Sequence, residues 1–247
     1  MPYHLRPVAL VTGGARRIGA EIVNRFHGAG FNVVLHYRHS ADAARELANS
    51  LNQARANSVK LVSGELSSVT AIRELAEKAR QAWGRLDTLI NNASAFYPTP
   101  LNSASEEEWE DLMNSNLKAP FFLAQALADE LKKNRGCIVN LVDIHADRPL
   151  KNHPIYCAAK AGNLMLVKSL ARELAPEVRV NGIAPGAILW PEQEADVTAQ
   201  ENILTKVPLQ KTGSPADIAR TILFLVKDAP YITGQIIAVD GGRSIYS

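Results

Sequence analysis

Residues 8–19, Val-Ala-Leu-Val-Thr-Gly-Gly-Ala-Arg-Arg-Ile-Gly, constrain this chain more than any other stretch. Val8 to Val11 is an uncharged apolar run suited to a strand buried on both faces, and Thr12-Gly13-Gly14 ends it in a tight turn. From Ile18 the apolar residues recur at helical spacing (Ile18, Ile22, Phe26), so the turn feeds a helix. The first amides of that helix have no partner within it and, with the helix dipole, favour an anion over the turn. A glycine turn can equally be a plain connection, so the next segment matters. The run Asn32 to Tyr37 falls where a βαβ unit has its second strand, and it is followed by Arg38-His39-Ser40. A dinucleotide laid over the first turn would put its adenosine ribose there. A carboxylate at that place selects NAD; Arg38, His36, His39 and Ser40 suit the 2′-phosphate of NADP, the alternative being a solvated basic loop.

Strand-like runs recur at 8–13, 32–37, 58–63, 86–91, 137–142, 178–183 and 235–240, with helical patterns between almost all of them. The alternation predicts an α/β fold with a seven-stranded parallel sheet, doubly wound, covered by helices on both faces. At 247 residues and 47% hydrophobic content the chain suffices for one such domain, 1–247, and no compositional break divides it. Twenty-seven basic residues against 25 acidic give no overall attraction to nucleic acid or a membrane. Cys137 and Cys157 lie near no second cysteine and no histidine cluster at ligand spacing, so no metal site is expected and a reducing, cytoplasmic setting fits. No run reaches the roughly eighteen apolar residues of a spanning helix, and residues 1–7 lack an apolar leader core.

Ser68 opens a helix that Gly84 stops, and Ser105 with Glu108 three residues on forms a capping box at the start of a long helix reaching Leu131. Pro120 inside it has no amide hydrogen for the carbonyl of Asn116. An ordinary kink and a carbonyl free to hold a water are both open readings. Residues 187–213 form the longest stretch without a clear strand, and insertions at the carboxyl ends of strands build substrate walls or lids.

Tyr156 and Lys160 are four apart in a helical segment and share a face. A phenol with a pKa of about 10 is nearly inert at neutral pH. A nearby ammonium would lower that value and make the phenol a usable proton donor, although such a pair can also be purely structural. Asp143 ends the apolar run 137–142 at the ligand edge of the sheet, where it could cap a loop or handle a proton. His145, Asp147, Arg148 and His153 read as loop surface, and Pro185-Gly186 can turn the backbone against a flat ring.

Thr12-Gly13 to Gly19, Asn91-Asn92-Ala93, Asn116, Tyr156-x-x-x-Lys160 and Pro185-Gly186 together resemble the short-chain dehydrogenase/reductase family over nearly the whole chain. Arg17 in place of the family's middle glycine, the run Asn92-Ala93-Ser94-Ala95-Phe96-Tyr97-Pro98, and Asp143 where the wider family has serine are similar to pteridine reductases. The resemblance implies a Rossmann fold, NADP(H), a small pterin substrate, a cytoplasmic homotetramer packed through helices 106–131 and 155–174, and no metal. It implies catalysis by Tyr156, Lys160, Asp143 and Asn116, whose carbonyl would anchor a relay water. For the cofactor it implies Gly13, Arg16, Arg17, Ile18 and Gly19 at the turn, and Tyr37 beside Arg38. It adds Glu65 and Leu66 at the adenine, Asn92, Ala93 and Ser94 just after the run 86–91, Tyr156 and Lys160, and Pro185, Gly186 and Ile188 at the nicotinamide. For the substrate it implies Arg17, Ser94, Phe96, Asp143 and Tyr156. Glu65 departs from the family's aspartate. The alternatives are a carbonyl reductase, such as one acting on 3-oxoacyl carrier protein, and a non-catalytic NADPH sensor.

Overall fold

The computed structural model describes residues 6–188 and 202–245. Seven strands, β1 (Val8–Val11), β2 (Asn32–Tyr37), β3 (Val59–Ser63), β4 (Thr88–Asn91), β5 (Cys137–Leu141), β6 (Arg179–Pro185) and β7 (Ile236–Val239), form one sheet in the order β3-β2-β1-β4-β5-β6-β7. Every pairing is parallel. Each strand opens within two residues of its predicted run. The order reverses direction between β1 and β4, and the crevice at their carboxyl ends is where ligands bind in such sheets.

Alternation within β1 explains the double winding. Val8 and Leu10 face a layer containing Ile72 and Leu75 of α3 (Val69–Gln81), Leu123 and Leu127 of α5 (Ala119–Lys133) and Val167 of α6 (Pro154–Glu173). Ala9 and Val11 face Ile22 and Phe26 of α1 (Arg17–Gly28), Ala44 of α2 (Ala41–Ala54) and Ile218 of α7 (Pro215–Lys227). All four strand residues are fully buried, as the uncharged run requires. Burying one such large aliphatic side chain is worth about 2 kcal/mol, whereas an exposed ion pair such as Arg45–Asp42 is worth under about 1, so the two apolar layers hold the fold.

The predicted kinked helix over 106–131 is interrupted. α4 (Glu106–Met113) begins at the expected capping box, in which Ser105 Oγ accepts from the Glu108 amide at 3.2 Å and the Glu108 carboxylate accepts from the Ser105 amide at 2.8 Å. A π-helical turn (Asn114–Lys118) then widens the coil, and Pro120 falls in the first turn of α5, where a missing amide is tolerated. Of the lid expected within 187–213, residues 189–201, Trp190 among them, lie outside the described residues, as does Tyr246.

Candidate active site

The turn after β1 is braced from three sides. Gly13 has φ +62°, in the left-handed region that suits glycine. Its amide donates to His36 Nδ1 at 3.2 Å, and His36 Nε2 donates in turn to the Gly64 carbonyl at 3.1 Å. Asn92 Nδ2 donates to the carbonyls of Thr12 and Gly13 at 2.9 and 3.0 Å, while Thr12 Oγ1 accepts the amides of Asn92 and Ala93. Arg16, extended at the start of α1, makes no side-chain cap, so the first amides of that helix remain available to a diphosphate. Arg17, standing where the family pattern has glycine, adopts φ +52°, the conformation glycine would take.

His36 borders the site and also takes part in this bracing. The sequence groups it with the 2′-phosphate contacts; it is buried, with one ring nitrogen accepting and the other donating, so it is a neutral brace of the turn. Burial lowers its pKa, and the Gly64 hydrogen bond opposes that less strongly. Burial also lowers the pKa of His27, with Arg55 adding repulsion. Both unfolded-state values lie above the folded ones, so this part of the stability is complete above about pH 6.5 and declines as pH falls below it. The thermal midpoint is therefore expected to be roughly 3 °C or more lower at pH 5.5 than at pH 7.5. Scanning calorimetry checks this, and His36→Gln should reduce the difference.

A cavity of about 540 Å³ runs from this turn in both directions. His36, Tyr37, Arg38, His39, Ser40, Glu65 and Leu66 line one end, Gly13, Arg16, Arg17, Ile18 and Gly19 the middle, and Asn92, Ala93, Ser94, Phe96 and Tyr156 the other. A diphosphate-linked dinucleotide fits this shape and these donors. Glu65 pairs with Arg38 at 2.8 Å, and Asp111 lies 3.7 Å from the same guanidinium. These half-exposed pairs are weak, so an incoming phosphate can take over the arginine.

At the far end, Tyr156 Oη donates to Asp143 Oδ2 at 2.7 Å, a short charge-assisted bond. Asp143 Oδ1 accepts the His145 amide at 2.8 Å, which fixes the carboxylate on the 3-10 turn Ile144–Ala146. The net shift of the phenol is upward, opposite to the lowering expected from Lys160. Burial, then the charge and hydrogen bond of Asp143, push the Tyr156 pKa well up, with Ser94 opposing. Lys160 is itself buried, which brings its pKa down to about 8, and its Nζ donates to the Leu141 carbonyl at 2.8 Å, 5.6 Å from the Tyr156 ring centre. The resting phenol is thus held protonated, as a donor.

Asn116 is brought to the site, but its carbonyl is already engaged, accepting from Asn163 Nδ2 at 2.9 Å. Its side chain ties down the wall of the cavity: Nδ2 donates to the Ala95 carbonyl at 2.9 Å, and Oδ1 accepts from Ser94 Oγ at 2.7 Å. Phe96 is half-exposed and stands edge-on to Tyr156, with ring centres 4.9 Å apart. One of its faces is stacked on the ring of His153, a loop residue, at 4.8 Å. Lys160, Pro185, Gly186 and Ile188 do not line the cavity; Gly186 donates to the Val239 carbonyl, and Ile188 is buried. Asn163 is the residue missed, because an asparagine inside a helix carries no spacing signal. Among the described residues no group of three His, Cys, Asp or Glu could hold a metal ion, and no helix is long and apolar enough to cross a membrane.

A family model described as enoyl-(acyl carrier protein) reductase matches residues 13–244, which include the turn, the tyrosine–lysine helix and the strand ends just described. The chain belongs to the short-chain dehydrogenase/reductase family. Within that family, pteridine reductase 1 of Leishmania tarentolae is 38% identical over 280 residues, covering 97% of this chain and 96% of its own. A 3beta-hydroxysteroid dehydrogenase 1 of Eggerthella lenta is 34% identical over 244 residues, covering 96% and 93%. A 3-oxoacyl-(acyl-carrier-protein) reductase of Staphylococcus aureus is 34% identical over 238 residues, covering 95% and 96%. Short-chain dehydrogenase/reductase membership makes the chain an oxidoreductase, and these relatives differ in the substrates their names carry.

Proposed function

We propose that this chain is an NADPH-dependent reductase of pterin rings, taking a dihydropterin to its tetrahydro form. The observation that carries the reading is the 2.7 Å hydrogen bond from Tyr156 to Asp143. A ketone oxygen needs only a hydroxyl to polarise it, whereas a ring C=N gains from an acid backed by a second acid. The nicotinamide cofactor, when bound, supplies the hydride. Tyr156 holds the proton at Oη and delivers it to a ring nitrogen. Asp143 orients the phenol and returns a proton to it from the solvent side. With the cofactor bound, Arg38 would take the 2′-phosphate and Phe96 would lie beside the flat ring, while the buried ammonium of Lys160, outside the cavity lining, would reach the nicotinamide ribose only with a change of its present contact to Leu141. Likeness to the Leishmania tarentolae pteridine reductase supports the same reading. Half-exposed Trp109, Phe121 and Met165 on α4, α5 and α6 support burial between subunits of a homotetramer.

The test is steady-state NADPH oxidation with dihydrobiopterin, dihydromonapterin, dihydrofolate and a β-ketoacyl thioester, each repeated with NADH. Turnover of a dihydropterin well above the thioester is expected; turnover of the thioester alone would replace the pterin reading with a carbonyl reductase. In the same assay, Arg38→Ala should raise the Michaelis constant for NADPH about tenfold or more and that for NADH less than about twofold. Equal changes in both would remove the phosphate role from Arg38.

A further inference from the structure

A chain of buried asparagines leads from the centre of the sheet to the active-site wall. Asn91 on β4 and Asn140 on β5 are register partners, and Asn91 Nδ2 donates to Asn140 Oδ1 at 2.8 Å. Asn140 Nδ2 donates to Asn163 Oδ1 at 2.7 Å, and Asn163 Nδ2 donates to the main-chain carbonyl of Asn116 at 2.9 Å. Asn140, Asn163 and Asn116 are each no more than 1% exposed, so these bonds form without competing solvent. Asn163 lies on the face of α6 that carries Tyr156 and Lys160, seven and three residues earlier. Beside it, Gly162 has no side chain for a reason: a Cβ there would lie 2.8 Å from Leu117 Cδ2, so the π-helical turn rests directly on α6.

We propose that Asn163 is a positioning residue, whose amide grips the carbonyl that Pro120 leaves without its usual helical donor and so fixes the π-helical turn carrying Asn116. The inference rests on Tyr156 being the acid of the reductase proposed above. Asn116 passes the position on, because its side chain holds Ser94 and Ala95, and Phe96 follows them beside Tyr156. Since that carbonyl already accepts from Asn163, the carboxylate of Asp143 is the nearer source for reprotonating Tyr156. The geometry of the proton-delivering end is therefore set from the sheet floor, through side-chain amides.

Two variants of the full chain test this. Asn163→Leu keeps the approximate volume and removes both hydrogen bonds; Asn163→Asp keeps the acceptor for Asn140 and removes only the donor to Asn116. Hydrogen exchange of the amides at 112–121 is expected to accelerate about tenfold or more in both, with β1 and β2 still protected. Turnover of the best wild-type substrate should fall about tenfold, with the dissociation constant for NADPH changed less than about twofold. If Asn163→Leu does not fold, Asn163→Asp decides alone. Unchanged exchange at 112–121, a loss of protection spread evenly over the sheet, or local loosening with wild-type turnover would each overturn the proposal. Exchange needs no substrate, so a wild-type chain that reduces no pterin would remove the substrate reading while leaving this test in force.

Discussion

Replacing Asp143 by serine is expected to lower dihydropterin turnover by a factor of about 10² to 10³, with the dissociation constant for NADPH staying within a few-fold. The phenol of Tyr156 is held protonated by burial and by this carboxylate, so it is a reluctant acid that needs a partner able to restore its proton. In the proposed reaction Asp143 is that partner, on a half-buried loop end where it meets both Tyr156 and solvent. Lys160 cannot substitute, because its Nζ donates to the Leu141 carbonyl and it is itself short of solvation. A serine at 143 can still hydrogen-bond the phenol and keep its direction but has no carboxyl group to take up a proton from solvent and hold it for the phenol. Tyr156→Phe is the reference, since it removes the acid outright and should cost about as much or more for every substrate. The comparison is sharpest with a β-ketoacyl thioester, for which Asp143→Ser should cost far less than Tyr156→Phe. Equal losses for both substrates would mean that Asp143 only orients the phenol, and unchanged pterin turnover would defeat the assignment.

What the sequence made legible was whatever depends on local pattern. The uncharged β1 run, the turn at Gly13, the Ser105 capping box and the pairing of Tyr156 with Lys160 follow from residue type and spacing, and the structure has each of them. What escaped depends on partners far away in the chain. That Gly13 and Gly64 occupy both ring nitrogens of His36 cannot be read from a histidine near an arginine. Arg38 meets Glu65 and Asp111 only because β2, β3 and α4 converge. The π-helical turn adds one residue to a coil without disturbing the apolar period, so neither it nor Asn163 could be read in advance. The sign of the Tyr156 shift was missed for the same reason. Spacing reveals that an ammonium is near, but only the packed structure reveals that burial and a carboxylate outweigh it.

Alanine at position 19 is expected to weaken NADPH binding about a hundredfold or more and to lower the thermal midpoint, whereas alanine at position 28, in the same helix, should raise that midpoint. A Cβ on Gly19 would lie 2.1 Å from the Gly13 carbonyl oxygen and 2.7 Å from Asn92 Nδ2. Neither neighbour can yield cheaply. The carbonyl belongs to a turn braced by His36, and Asn92 is committed to the carbonyls of Thr12 and Gly13. The helix must therefore move away from the turn, which costs about 2 kcal/mol or more and roughly 6 °C in a chain of this size. The displaced first turn also carries the amides meant for the diphosphate, so affinity should fall by about a hundredfold or more. At Gly28 nothing lies within 4 Å of the added carbon and φ is not positive, so alanine there mainly restricts the unfolded chain and should stabilise by about 0.5 kcal/mol. Calorimetry and fluorescence titration with NADPH on the two variants read both effects. Near-wild-type NADPH affinity in Gly19→Ala would mean that the cofactor does not lie over this turn, because no rearrangement can admit that methyl group and leave the cradle as it is.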